Sequence, residues 1–404
     1  MEEPLIDESP SHPGGIRLLF GTALAVFVVT VSIGILNGMD VVDFDHQTLM
    51  GHVHSGTLGW ITLSVFAASL WLFGGSDESP NAARMARGLP IASVVVIVAY
   101  VVAFFSTTGV GRPITGTFAL LVMVVFFAWV VGRARHVTLS VPRLGLLAAL
   151  ATLAVGAVLG VLIGLELTGD VDLPDGAYDA HPATMVVGFL IPVGMALAEW
   201  RLAPSLVEVV ADRRGRAQIA APFVGGVLLM VGSLLDVVPL IGLSLPLEIA
   251  GVVILVRRLW PQLHAIDWIG GGWERGAGAT IIALVFDIGL LAFLIIRYQG
   301  ELDDAPQRLL LALDHVMFIG VMTNSVFGRI DRFAASSRWA GADRWVLPAM
   351  NLGLAVFAAG LLADVTALKR IGAPTMGTAI LLGIVVMAMR LAGPLRSPAT
   401  ASTG

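Results

Sequence analysis

The sequence predicts an all-α integral membrane protein of about twelve transmembrane helices, arranged as three four-helix repeats in a pseudo-threefold bundle. Three observations carry this. Hydrophobic residues fill 57% of the 404 positions and charged residues only 13%, with a mean hydropathy of +0.88. A water-soluble domain carries about 25% charged residues, and half of that cannot cover a soluble surface. Apolar runs of about 20 residues, the length that crosses a ~30 Å hydrocarbon core, recur along the whole chain, and a histidine-bearing motif recurs at nearly constant spacing.

The apolar runs fall at roughly 16–38, 46–74, 88–109, 111–132, 142–168, 179–200, 217–238, 241–257, 276–297, 308–328, 343–365 and 372–391. The seventh and eighth are separated only by a turn near Pro239. An even number of spans puts both termini on one side, and the positive-inside rule says which. With the termini cytoplasmic, nineteen of the 24 basic residues fall inside. Outside remain Arg112, Arg297, Arg308, Lys369 and Arg370, beside acidic loops such as MDVVDFD and GDVDLPDGAYDA. The reading is a multi-pass protein of the cell (inner) membrane. Residues 1–15 and 392–404 are expected to be disordered cytoplasmic tails, with one membrane domain over 16–391. The first segment, MEEPLIDESPSHPGG, lacks the basic flank of a signal peptide, so the first apolar run is expected to remain as a helix.

Cysteine is absent, which excludes disulfides, thiolate metal sites and cysteine nucleophiles. The net charge of −5 and the lack of a basic block give no footprint for nucleic acid. Histidine and carboxylates are the metal ligands that remain, with methionine as a soft alternative.

Five of the eight histidines, His46, His52, His54, His181 and His315, stand near the starts of the second, sixth and tenth spans. FDHQTLMGHVHSGTLGWI from Phe44 matches LDHVMFIGVMTNSVFGRI from Leu313 at Asp45/Asp314, His46/His315, Gly51/Gly320, Gly59/Gly328 and Ile61/Ile330. HPATMVVGFLIPVG from His181 is a third copy. In all three a glycine follows thirteen residues after the histidine. The chain thus divides into repeats of about 1–135, 136–270 and 271–404.

A neutral imidazole sits in apolar surroundings and still binds a transition metal. On a regular helix His52 and His54 are about 200° apart, so they do not share one centre, whereas His46 and His54 share a face. The alternative is helix packing, with interfacial histidines capped by Asp45 and Asp314. Asp287 and Glu248 interrupt the ninth and eighth spans. Each is a candidate for a proton relay or for a polar lock between helices.

HVHSGTLGW over 52–60 resembles the low-spin haem ligand region of the haem–copper oxidase catalytic subunit, and His181-Pro182 resembles the start of its copper-ligand motif. HVMFIGVMTNSVFGR from His315 is similar to the histidine segment of NnrS-type membrane haem proteins. The resemblance implies haem, taken as b-type, with His46, His52, His54 and His315 as cofactor-binding candidates. A single haem would lie between the second and tenth spans, with His52 or His54 opposite His315. It also implies His181 as a separate metal ligand, with copper as the candidate ion, or as a residue lining the haem site. Met185 stands where the oxidases have a tyrosine, the seventh span has no histidine pair, and the tenth has one histidine rather than two. The full copper–haem centre of an oxidoreductase is therefore not implied.

The expected function is electron transfer or nitric-oxide handling by a membrane haem or metal protein, with a redox partner or an oxidase or reductase complex beside the lipid bilayer. The alternatives are a transporter or channel with a histidine and carboxylate path, and a non-catalytic assembly subunit.

Overall fold

A chain in hydrocarbon must close its backbone hydrogen bonds within its own segment, and a helix does this locally. The computed structural model describes residues 10–393 apart from 76–78, 108, 271, 301 and 337. Among the described residues there is no strand, and twelve helices are long and apolar enough to cross a membrane. They are α1 (Pro13–Gly38), α2 (His46–Phe73), α3 (Pro80–Ser106), α4 (Gly111–Ala134), α5 (Val141–Glu166), α6 (Ala177–Leu202), α7 (Arg213–Leu234), α8 (Val238–His264), α9 (Glu274–Arg297), α10 (Gln307–Ala334), α11 (Asp343–Ala363) and α12 (Thr366–Leu391). This is the architecture of a multi-pass membrane protein.

Several helices outrun their apolar runs because polar caps start them early. Ser79 accepts a hydrogen bond from the Ala82 amide and Pro80 follows it, so α3 begins eight residues before the run at 88. The reversal between α7 and α8 falls at residues 235–237, with Asp236 left-handed at φ 53°. Pro239 lies just after it, in the first turn of α8, where a missing N–H costs nothing. Of the segments expected as disordered tails, residues 1–9 and 394–404 lie outside the described residues. Pro13–Gly15 already belongs to α1.

Three helices are interior. In their most apolar stretches α2 and α6 are 89% buried and α10 72%, against at most 56% for the others. These are also the three least apolar spans. Lipid-facing surface must be hydrocarbon-like, whereas an interior helix can carry histidine, threonine, serine and asparagine.

All three interior helices widen into a π segment partway down, at Ser55–Thr62, Thr184–Leu190 and Val316–Thr323. The hydroxyls of Thr62 and Thr323 each donate to a carbonyl five residues back, on Thr57 and Phe318, both at 2.9 Å. Aligning the π segments places α6 129 residues after α2, and α10 261 residues after it. In this register His54 matches His315 and His52 matches His181; His46 matches neither. The sequence supports the longer offset at Gly59/Gly320, Thr62/Thr323, Ser64/Ser325, Val65/Val326 and Phe66/Phe327. The sequence-based pairing of His46 with His315 is therefore shifted by eight residues.

At the arginine-rich end the helices are laced together. Arg133 and Arg143 donate to the carbonyls of Phe73 and Leu72, and Arg143 also pairs with Glu208 at 2.7 Å. Arg390 pairs with Asp331, and Arg258 with the fully buried Glu199 at 2.8 Å. At the opposite end Asp40, in the α1–α2 turn, holds Lys369 at 2.6 Å and Arg370 at 3.0 Å.

At that same end the Asp45 carboxylate caps α2, accepting from the Thr48 amide at 2.7 Å. This bond holds the carboxyl below the ordinary carboxylate range. The cap's contribution is therefore fully present above the unfolded value near 4 and is lost as pH falls through the lower folded value. Asp45→Ala is expected to speed amide exchange in the first turn of α2 at neutral pH, and to change nothing once the wild-type carboxyl is protonated. Equal exchange rates in the two proteins at pH 7 would contradict the cap.

Candidate cofactor site

Below the acidic-loop end the interior helices part to leave a cavity of about 450 Å³. This is the size of a small-molecule or cofactor pocket. Its walls are apolar apart from a few groups, and four of these are histidines: His52, His54, His181 and His315. His54 and His315 each lie eight residues into their helices, about 12 Å from the helix start. Deeper in the bundle aromatic packing closes the floor. Trp60 stacks on Phe27 with centroids 4.3 Å apart and meets Phe327 edge-on at 5.6 Å.

The four imidazoles share one feature. Each places Nδ1 against a backbone carbonyl: His52 on Thr30 at 2.9 Å, His54 on Met50 at 2.8 Å, His181 on Gly156 at 2.9 Å and His315 on Leu311 at 2.7 Å. A carbonyl only accepts, so Nδ1 carries the hydrogen and Nε2 keeps its lone pair. This is the tautomer and the outer hydrogen bond that metal-bound histidines use.

Two modes of anchoring occur. His52 and His181 reach across to the helix that precedes their own, α1 and α5. Glycine there lets the rings approach: a Cβ on Gly34 would stand 3.2 Å from His52 Cε1, and one on Gly160 would stand 2.9 Å from His181 Cε1. His54 and His315 instead bond the carbonyl four residues back on their own helix. The His54 ring stacks on Phe104 at 3.6 Å, and His315 leans on Phe357 at 4.9 Å.

His52 and His54 do look to different sides of α2, as their spacing predicts. His52 lies within electrostatic reach of His315, and His54 within reach of His181. His46 is not part of this arrangement. It is the first residue of α2, exposed, and absent from the cavity wall. Eight residues separate it from His54, so sharing a helix face does not bring it to the same depth. His181, read from the sequence as a separate metal ligand or as lining the site, lines the same cavity as His54. Among the described residues no three histidine, aspartate or glutamate side chains converge as a bare metal ion would require.

One carboxylate is placed differently from its expected role. Asp314 does not cap α10; it lies within that helix beside His315 and lines the cavity. Asp287 is buried in α9 within electrostatic reach of Asp314, but it does not reach the cavity wall. Glu248 is buried against α7, where Gly225 makes room for its carboxyl. Neither oxygen of Glu248 has a hydrogen-bond partner among the described residues, nor has Oδ1 of Asp287. The two acids do not join the histidines in one cluster. Sequence reasoning missed Gly34, Gly160 and Phe104, and gave Asp314 a capping role instead of a place on the cavity wall. An alignment of α1 with α5 carries the signal for the two glycines, which stand 126 residues apart, as Thr30 and Gly156 do.

No protein-family model matches the chain, and no curated protein matches it. The geometry therefore carries the functional argument.

Proposed function

We propose that this chain is a membrane haem protein that works in electron transfer, built as three four-helix repeats about a pseudo-threefold axis. The observation that carries the reading is the common state of the four cavity histidines, each tethered through Nδ1 with Nε2 free. Such a set of lone pairs in a mostly apolar chamber suits a flat macrocycle that brings four nitrogens of its own and needs only axial ligands. A bare copper ion would want three or four protein ligands, so copper is the weaker candidate. Haem would supply a one-electron couple inside the bilayer, and the imidazoles with their backbone hydrogen bonds would orient it and tune its potential.

The four imidazoles come in two pairs within electrostatic reach of each other, and a haem held by a pair would have no position open to a diatomic gas, which favours electron transfer over nitric-oxide handling. The proposed placement is the inner membrane, with both termini and the arginine-laced end cytoplasmic. The haem chamber then lies in the outer half, facing an extracytoplasmic redox partner. The layout agrees with the resemblance to haem–copper oxidases and NnrS-type proteins in its histidine-bearing second, sixth and tenth helices.

Protein purified from a haem-replete host should show a Soret band and bound iron, with no shift when carbon monoxide is added to the reduced form. A preparation with neither Soret band nor iron overturns the reading. A carbon-monoxide shift keeps haem and favours gas handling instead.

A further inference from the structure

We infer that the chain holds two bis-imidazole haem sites, one on His52 and His315 and one on His54 and His181. This rests on the haem reading above and extends it. The sequence had suggested one haem, between the second and tenth spans.

The argument begins with the two anchoring modes. Each interior helix has two slots just before its π segment. The outer slot is occupied by His52 in α2, His181 in α6 and Leu313 in α10. The inner slot, two residues on, is occupied by His54, Ala183 and His315. Chemistry follows the slot. Both outer-slot histidines bond the first helix of their own group of four, and both inner-slot histidines bond their own helix four residues back. Equivalent slots thus hold equivalent side chains in equivalent hydrogen bonds, which independent packing accidents do not produce.

The pairing obeys one cyclic rule. The inner-slot histidine of one unit lies within electrostatic reach of the outer-slot histidine of the next: His315 of the third unit with His52 of the first, and His54 of the first with His181 of the second. The surroundings agree, since His52 stands against α1 and His315 against Phe357 of α11 on one side, and His54 against Phe104 of α3 and His181 against Gly160 of α5 on the other. Each pair lies behind a seam between units. The first seam is closed by α1 against α12, where a Cβ on Gly377 would stand 2.2 Å from Ile35. The second is closed by α4 against α5. The cavity wall includes Gly377 and Phe357 on the first side and Tyr100 and Gly160 on the second, so the chamber reaches both seams. The third seam, closed by α8 against α9, falls to Ala183 and Leu313 under the same rule. It has no imidazole, and no residue of α8 or α9 lines the cavity. Two sites are therefore expected rather than one or three.

The two sites share α2. His52 and His54 are about 3 Å apart along its axis and point to opposite sides. Both haems would lie at one depth in the outer half of the membrane, so an electron passing between them would move parallel to the membrane plane.

The test is the haem-to-chain ratio of purified full-length protein, measured by extracted haem against quantified protein, with spectra of single variants. The wild type should carry two haems. His181→Ala and His52→Ala should each leave one, and the surviving Soret band reports that the variant is folded. His46→Ala should keep both. One haem in the wild type, unchanged by His181→Ala, would overturn this inference and leave the haem reading standing. A wild type without haem would overturn both.

Discussion

Replacing Glu199 with alanine is expected to destabilise the bundle by about 3–5 kcal/mol, the penalty for leaving a buried charge without its partner. Glu199 ends α6 at the arginine-rich side and is fully buried. Its Oε2 accepts from Arg258 at 2.8 Å and from Gln218 at 3.0 Å, and its Oε1 accepts from Arg258 at 3.0 Å. Arg258 donates to Gln218 as well, so α6, α7 and α8 meet in one closed network. Removing the carboxylate strands a guanidinium in apolar surroundings and leaves Gln218 without its acceptor. The double variant Glu199→Met, Arg258→Met should recover most of the loss, because it removes both charges and keeps the volume. Unfolding in detergent, followed by denaturant titration, measures both. Equal midpoints for Glu199→Ala and wild type would show that the network contributes nothing.

The second large effect is on the proposed haems. If the chain carries the two inferred above, Gly160→Leu should remove the one proposed between His54 and His181 and leave the other in place, for a loss of about half the haem absorbance. Even a Cβ at Gly160 would stand 2.9 Å from the His181 ring, and the rest of a leucine side chain needs the space the ring occupies. The ring must swing away, breaking its bond to the Gly156 carbonyl. Gly34→Leu should do the same to His52 and the other site, where the clearance is 3.2 Å. The two variants should therefore remove complementary halves of the spectrum. A common, partial loss of both haems in each variant would mean that the glycines set the general packing of the bundle instead.

The arginine network and the histidine chamber were legible in the sequence to different degrees. The bias of arginine toward alternate loops could be counted directly, because topology is set by charge near the span ends. Which arginine meets which carbonyl or carboxylate could not, since Arg143 reaches partners 64 and 71 residues away. The histidines themselves stood out because ionisable groups are rare in spans. Which of them share a cavity did not, because a regular-helix projection cannot anticipate a π segment or show what lies across from a helix face. His46 illustrates the limit. It shares a face with His54 on the helical wheel, yet it is exposed at the start of α2.

Composition and local periodicity alone determined that this chain is a bundle of about twelve membrane-spanning helices, and that its histidines gather near the starts of three of them. Both follow from a one-dimensional requirement: a segment in hydrocarbon must be long, apolar and self-satisfied in its hydrogen bonds. Only the tertiary structure decided which helices are interior, which histidines share a cavity, and that their Nδ1 atoms are all tied to backbone carbonyls. Those facts depend on contacts between segments far apart in the chain, such as His181 with Gly156 and His52 with Thr30. They are set by how closely glycine lets two helices approach, and spacing along one helix does not record that.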